Sequence, residues 1–131
     1  MLLIADTGPL ISLLIIRQFM LIEKLFDNLL VPSEVWNELY HHSEILTFKD
    51  ELALILKRRK NVMSPYNIEG IDRGESEAIL LHKELKADYL LIDDKKARQK
   101  AESLGINCIG TLGVLYLAHK KNLIKTYDLY F

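Results

Sequence analysis

Two short, uninterrupted apolar runs, LLIA at residues 2–5 and YLLI at residues 89–92, each end directly in aspartate. Runs this short, without polar alternation, suit strands covered on both faces, the kind found in parallel sheets. Parallel neighbours need long crossover connections, usually helical, and the rest of the chain supplies them. After Asp6, Thr7-Gly8-Pro9 turns the chain, and Pro9 takes the first helical position, where its missing N–H costs nothing. Leu10, Ile11, Leu13 and Leu14 continue an apolar helical face. MLIEKLFDN reads as a second short helix, LLV at 29–31 as a brief strand stopped by Pro32, and SEVWNELYHH as a helix capped by Ser33, with Val35, Trp36, Leu39 and Tyr40 at helical spacing. ILTFKDELALILKRRK is amphipathic and ends in cations, which the helix dipole favours. In the least regular stretch, 61–74, NVMS reads as a short strand and PYNIEGIDRG as a loop. ESEAILLHKEL is a helix with Ala78, Ile79, Leu81 or His82, and Leu85 inward. Beyond Asp93-Asp94, a basic helix KKARQKAESL is stopped by Gly105, INCI is a further strand, TLGVLYLAHKKNLI a last helix and TYDLYF an aromatic tail. This alternation predicts an α/β fold: a three-layer α/β/α sandwich with a mainly parallel central sheet, formed as one domain over residues 1–131.

Composition narrows the function classes. Half of the 131 residues are apolar and 27% are charged, with a formal net charge of -1, which excludes a uniformly basic nucleic-acid coat while permitting a local basic patch. The single cysteine, Cys108, cannot form an internal disulfide, and the chain has no zinc-ligand spacing; both suit a reducing, cytoplasmic location. The apolar N-terminus is interrupted by Asp6, Gly8 and Pro9 and has no basic leader, so it is read neither as a secretory signal nor as a membrane span of about 20 residues.

Asp6 and the pair Asp93-Asp94 follow apolar strands, and in a parallel sheet such strand ends share one edge. An aspartate there also serves as a helix N-cap, and its position alone does not separate the two uses. Glu75 and Glu77 open the helix before YLLI, which must run back against that strand and so starts at the same edge. Glu38 lies late in its helix, where the dipole disfavours an acid, whereas Glu34 sits better near the start. Carboxylates gathered in one place repel unless a cation neutralises them. An all-oxygen donor set favours a hard ion, Mg²⁺ or Mn²⁺. Such a cluster is suited to phosphodiester hydrolysis, in which the metal activates water and no side-chain nucleophile is needed. Thr7 is placed to hold a ligand or water, or to complete a turn.

Four stretches carry a family resemblance: ADTGPLI, VPSEVWNEL, RGESEAILL and LLIDDKKAR. In order and spacing they resemble the elements of PIN-domain proteins, of the kind found as VapC-like toxins, and the closing GINCIGTLGVLYLA is similar to the ending of a PIN subfamily close to them. The resemblance implies four acidic metal ligands: Asp6, Glu38, Glu75 with Glu77 as the fallback, and Asp94 with Asp93 in support. The third acid is Glu where many members have Asp, and Ile92 stands at the threonine of the family's Thr-x-Asp element. By resemblance the chain is a metal-dependent endoribonuclease, the toxin of a pair with a separately encoded antitoxin, and a homodimer. The alternative is a catalytically silent PIN module that binds RNA or a protein partner.

An RNA substrate needs cations near the acids. Lys95, Lys96 and Arg98 follow Asp94 directly; Lys57, Arg58, Arg59 and Lys60 form a second cluster, and a solvated helix face explains either equally well. His41, His42, His82 and His119 show no relation to the acids in the sequence, and His82 reads as packed within its helix. LISLLII is apolar nearly all round, which predicts an interface formed by Ile15, Ile16, Phe19 and Ile22. An aspartyl-phosphate phosphatase would need Asp-x-Asp after the first strand and a receiver domain an acidic pair there; ADTG has neither.

Overall fold

Leu3, Ile4 and Ala5 are wholly shielded from solvent, as a strand covered on both faces requires. They belong to β1 (Leu2–Ala5), the middle strand of the sheet in a computed structural model that describes residues 1–125. The aromatic tail read at 126–131 lies outside the described residues. In chain order there follow α1 (Thr7–Ile15), α2 (Met20–Leu25), β2 (Asn28–Pro32), α3 (Ser33–Tyr40), a 3₁₀ turn at Ser43–Ile45, α4 (Lys49–Lys57), β3 (Arg59–Lys60), α5 (Arg73–Leu85), β4 (Tyr89–Leu91), α6 (Lys95–Ser103), β5 (Cys108–Ile109) and α7 (Thr111–Lys120).

The five strands are ordered β3-β2-β1-β4-β5 and every pairing is parallel. Alternate side chains of each strand serve opposite layers. Leu3 and Ala5 pack with Leu29, Val31 and Leu91 beneath the buried faces of α1, α2, α3, α4 and α7. Ile4, Leu90 and Ile92 pack on the other side against Ala78, Ile79 and Leu81 of α5 and Ala97 and Ala101 of α6. The three-layer α/β/α reading therefore holds.

The chain first builds outward from β1 to β2 and β3, then returns to the other side of β1 for β4 and β5. Ile4 is in register with Leu30 on one side and with Leu90 on the other. The Asp6 amide continues the β1–β4 ladder, donating to the Leu91 carbonyl at 2.9 Å. The carboxyl ends of β1 and β4 thus flank the point at which the winding reverses, where open α/β sheets leave a crevice.

Three expectations are corrected. The third strand is Arg59–Lys60, not NVMS: α4 ends at Lys57, and the next residues pair with Val31 and Pro32 at the sheet's edge, where exposed charges deter further strands. The KRRK cluster is therefore divided between helix end and strand, and Arg58 points to Glu23 at 3.1 Å. The interface read from Ile15, Ile16, Phe19 and Ile22 does not stand as drawn, because Phe19 and Ile22 are core residues while Ile15 is half exposed. Tyr40 is largely exposed, unlike Leu39 on the same helix.

Candidate active site

Asp6 occupies the N-cap position of α1, but its carboxylate makes no capping hydrogen bond to the helix. It is only 5% exposed. An acid in such a place, without a capping role, is costly to ionise. Burial pushes its pKa up to about 7; the Thr7 backbone N–H opposes this, and the charges of Glu75, Asp72 and Glu38 add to it.

Glu38 reaches the same edge from the last turn of α3. The Thr7 hydroxyl donates to its Oε2 at 2.7 Å and fixes the carboxylate beside the end of β1. Glycine at position 74 makes room for it: a Cβ there would lie 2.8 Å from Glu38 Cδ. Burial raises the Glu38 pKa; the Thr7 hydroxyl opposes this, Asp72 and Glu34 add to it, and His42 lowers it.

Asp72 and Glu75 enter from α5 as a capping box. The Glu75 amide donates to Asp72 Oδ1 at 2.8 Å, and Glu75 reaches back to the Asp72 amide at 3.4 Å. Burial, followed by the charges of Asp72 and Asp94, pushes Glu75 up to about 7. Asp94, which follows Ile92 and Asp93 beyond β4, caps α6 by accepting from the Ala97 amide at 2.9 Å.

Of the residues singled out from the sequence, Asp6, Glu38, Glu75 and Asp94 share this edge, with Thr7 supporting Glu38. Two others do different work. Asp93 accepts from the Thr111 amide at 2.8 Å and the Thr111 hydroxyl at 2.6 Å, so it anchors the start of α7 rather than supporting the acids. Glu77 is buried and accepts from the Glu34 amide at 3.1 Å, which caps the first turn of α3. Asp72 is the acid that the sequence reading passed over. Its signal was present: Asp72-Arg73-Gly74-Glu75 ahead of AILL has the spacing of a capping box. His42 also proves to be near enough for its charge to act on Glu38.

Among the cations, Lys95 and Lys96 are exposed at the start of α6, and the Lys96 ammonium packs against Gly70. Arg98 turns towards Glu102 at 3.6 Å. Arg73, between Asp72 and Gly74, pairs with Glu34 at 3.6 Å.

The donor set is all oxygen, and its mutual repulsion is what a hard divalent ion would relieve, so the residues fit such an ion in chemistry. Among the described residues no three His, Cys, Asp or Glu side chains are yet close enough together to grip one. Asp72, Glu75 and Asp94 spend carboxylate oxygens on backbone amides, and an ion would have to draw them inward.

A family model described as a PIN domain, DUF3368, matches residues 2–130. Among solved structures, a PilT N-terminus domain protein of the hyperthermophilic archaeon Sulfolobus solfataricus P2 superposes with a TM-score of 0.62 at 22% identity, over 90% of this chain and 93% of its own. That likeness is one of fold. No curated protein matches the sequence significantly. Among the described residues no helix is long and apolar enough to cross a membrane.

Proposed function

Because the chain belongs to the PIN-domain family, whose members are typically nucleases that use divalent metal ions, we propose that it is a Mg²⁺- or Mn²⁺-dependent endoribonuclease. The observation that carries this reading is Asp6: a buried acid at a strand end, with no capping bond, beside Glu38, Asp72 and Glu75. Asp6, Glu38, Glu75 and Asp94 are the residues that would hold the ion. When bound, it would activate water and stabilise the leaving oxygen of a phosphodiester. Thr7 orients Glu38 for that task, and Lys95 and Lys96 are available to the backbone phosphates. Family resemblance further supports a toxin paired with a separately encoded antitoxin, acting as a homodimer in the cytoplasm.

The test is incubation of the purified chain with a panel of labelled RNAs in Mn²⁺, Mg²⁺ or EDTA, beside Asp6→Asn. Cleavage that needs the ion and vanishes in the folded variant is the expected result. Retained metal-dependent cleavage by Asp6→Asn would defeat the assignment. A second reading, the silent PIN module, is favoured by the engagement of Asp72, Glu75 and Asp94 in helix caps. Mn²⁺ binding by the wild type, with no RNA cut, would select it.

A further inference from the structure

A pocket of about 250 Å³ opens beside the acidic edge, lined by Pro65, Tyr66, Asn67, Arg73 and Glu77. We propose that it seats one unstacked nucleobase of a single-stranded RNA lying across the acids, with Tyr66 as the stacking surface, Asn67 reading the base edge and Arg73 holding the adjoining phosphate. The inference rests on the ribonuclease reading and names how its substrate is gripped.

Tyr66, Asn67 and Arg73 offer the kinds of group that such a ligand uses, and the Glu77 carboxylate in the same lining is already bonded to the Glu34 amide. Sequence-specific proteins bind single-stranded RNA by stacking splayed bases on aromatic rings or guanidinium planes and bonding to their edges. Tyr66 is 60% exposed, although an aromatic ring gains nothing by facing water. Asn67 brings one donor group and one acceptor, the pair a base edge requires. Arg73 carries the cation and belongs to the run that also contains Asp72, Gly74 and Glu75, so the pocket adjoins the acids through its own wall.

The loop is held in place on both sides of the aromatic residue. The Met63 amide donates to Glu84 Oε1 at 2.9 Å, and the Ile68 amide donates to the wholly buried Ser76 hydroxyl at 2.9 Å. Both acceptors are on α5, the helix whose first turn carries Glu75. The loop that carries Tyr66 is therefore tied to the same helix as Glu75, which favours binding by limiting the ordering cost. The pocket also accounts for a cation near a site of concentrated negative charge. The Arg73 side chain stays two-thirds exposed while it pairs with Glu34 at 3.6 Å.

The experiment measures binding of ten-nucleotide oligoribonucleotides, each with a central 2-aminopurine, to the full chain in the Asp6→Asn background with Mn²⁺ present. Affinity comes from anisotropy and stacking from fluorescence quenching. Tyr66→Ala should weaken binding roughly 5- to 150-fold, the range that loss of one stacked base produces, and should abolish the quenching. Tyr66→Phe keeps the ring and should keep both signals. Arg73→Ala should weaken binding and flatten its salt dependence by about one phosphate contact. A Tyr66→Ala variant that binds and quenches as its parent does, while the wild-type chain still cuts RNA, would overturn the subsite alone. A wild-type chain that neither binds these oligonucleotides nor cleaves RNA would overturn the ribonuclease reading and the subsite with it.

Discussion

Glu38 is the acid of this edge that is held from two sides, by the Thr7 hydroxyl at 2.7 Å and by the bare backbone of Gly74. No positive φ requires glycine at 74; the close passage of α5 over the carboxylate does. A methyl group there must push Glu38 off its Thr7 bond. Gly74→Ala is therefore expected to cut turnover roughly 100-fold, the cost of moving a catalytic group by about an ångström. Its melting temperature should change little, since alanine is the better helix former. Steady-state cleavage beside thermal denaturation checks this, and an unimpaired Gly74→Ala would remove Glu38 from the reacting centre.

At the scale of elements, helix starts account for most of the site. Asp72 caps α5, Asp94 caps α6 and Asp93 anchors α7, so three successive helices begin on acids at the same sheet edge. The three acids should not be interchangeable. Asp93→Ala removes two hydrogen bonds to Thr111 and is expected to cost about 1–2 kcal/mol of stability while leaving Mn²⁺ affinity unchanged. Asp94→Ala should lower both, and calorimetry with urea denaturation separates the two outcomes. The sequence revealed which acids end strands, because a buried apolar run that stops at aspartate is a local pattern. It also revealed the sheet layering, which follows from helical crossovers. It did not distinguish Asp93 from Asp94: adjacent residues after a strand point different ways, and only the arrival of Thr111 from α7 decides which way each turns. Glu77 was opaque for the same reason, since its partner is a backbone amide forty-three residues earlier. Arg59–Lys60 escaped notice because two exposed charged residues have no strand pattern; they pair because β2 offers an open edge.

For the molecule as a whole, the cost of gathering the acids has a sign that can be worked out. Asp6 and Glu75 are pushed up to about 7 from ordinary values of 3.8 and 4.5, so the folded chain keeps protons that the unfolded chain releases. Stability from this source is full below the ordinary values and is lost as pH rises through the folded ones. In EDTA, the melting temperature of Asp6→Asn should therefore exceed that of wild type by a margin that widens between about pH 5 and about pH 8. Comparing the two chains removes the separate contribution of His82, whose burial lowers its pKa and weakens the acid side in both. Mn²⁺ should raise the wild-type melting temperature more at the upper pH, where it need not displace protons. A constant margin would show that Asp6 is not the strained group. The order in which the sheet is wound has a different consequence, during synthesis. Asp6 and Glu38 leave the ribosome early, but they gain Asp94 only after β4 has been made and has closed against β1. A growing chain thus carries Asp6 and Glu38 beside a β1 that still has one unpaired side, and its acidic edge is incomplete. The winding order thus withholds the complete set of acids, and with it the ribonuclease activity proposed above, until β4 has been made and paired.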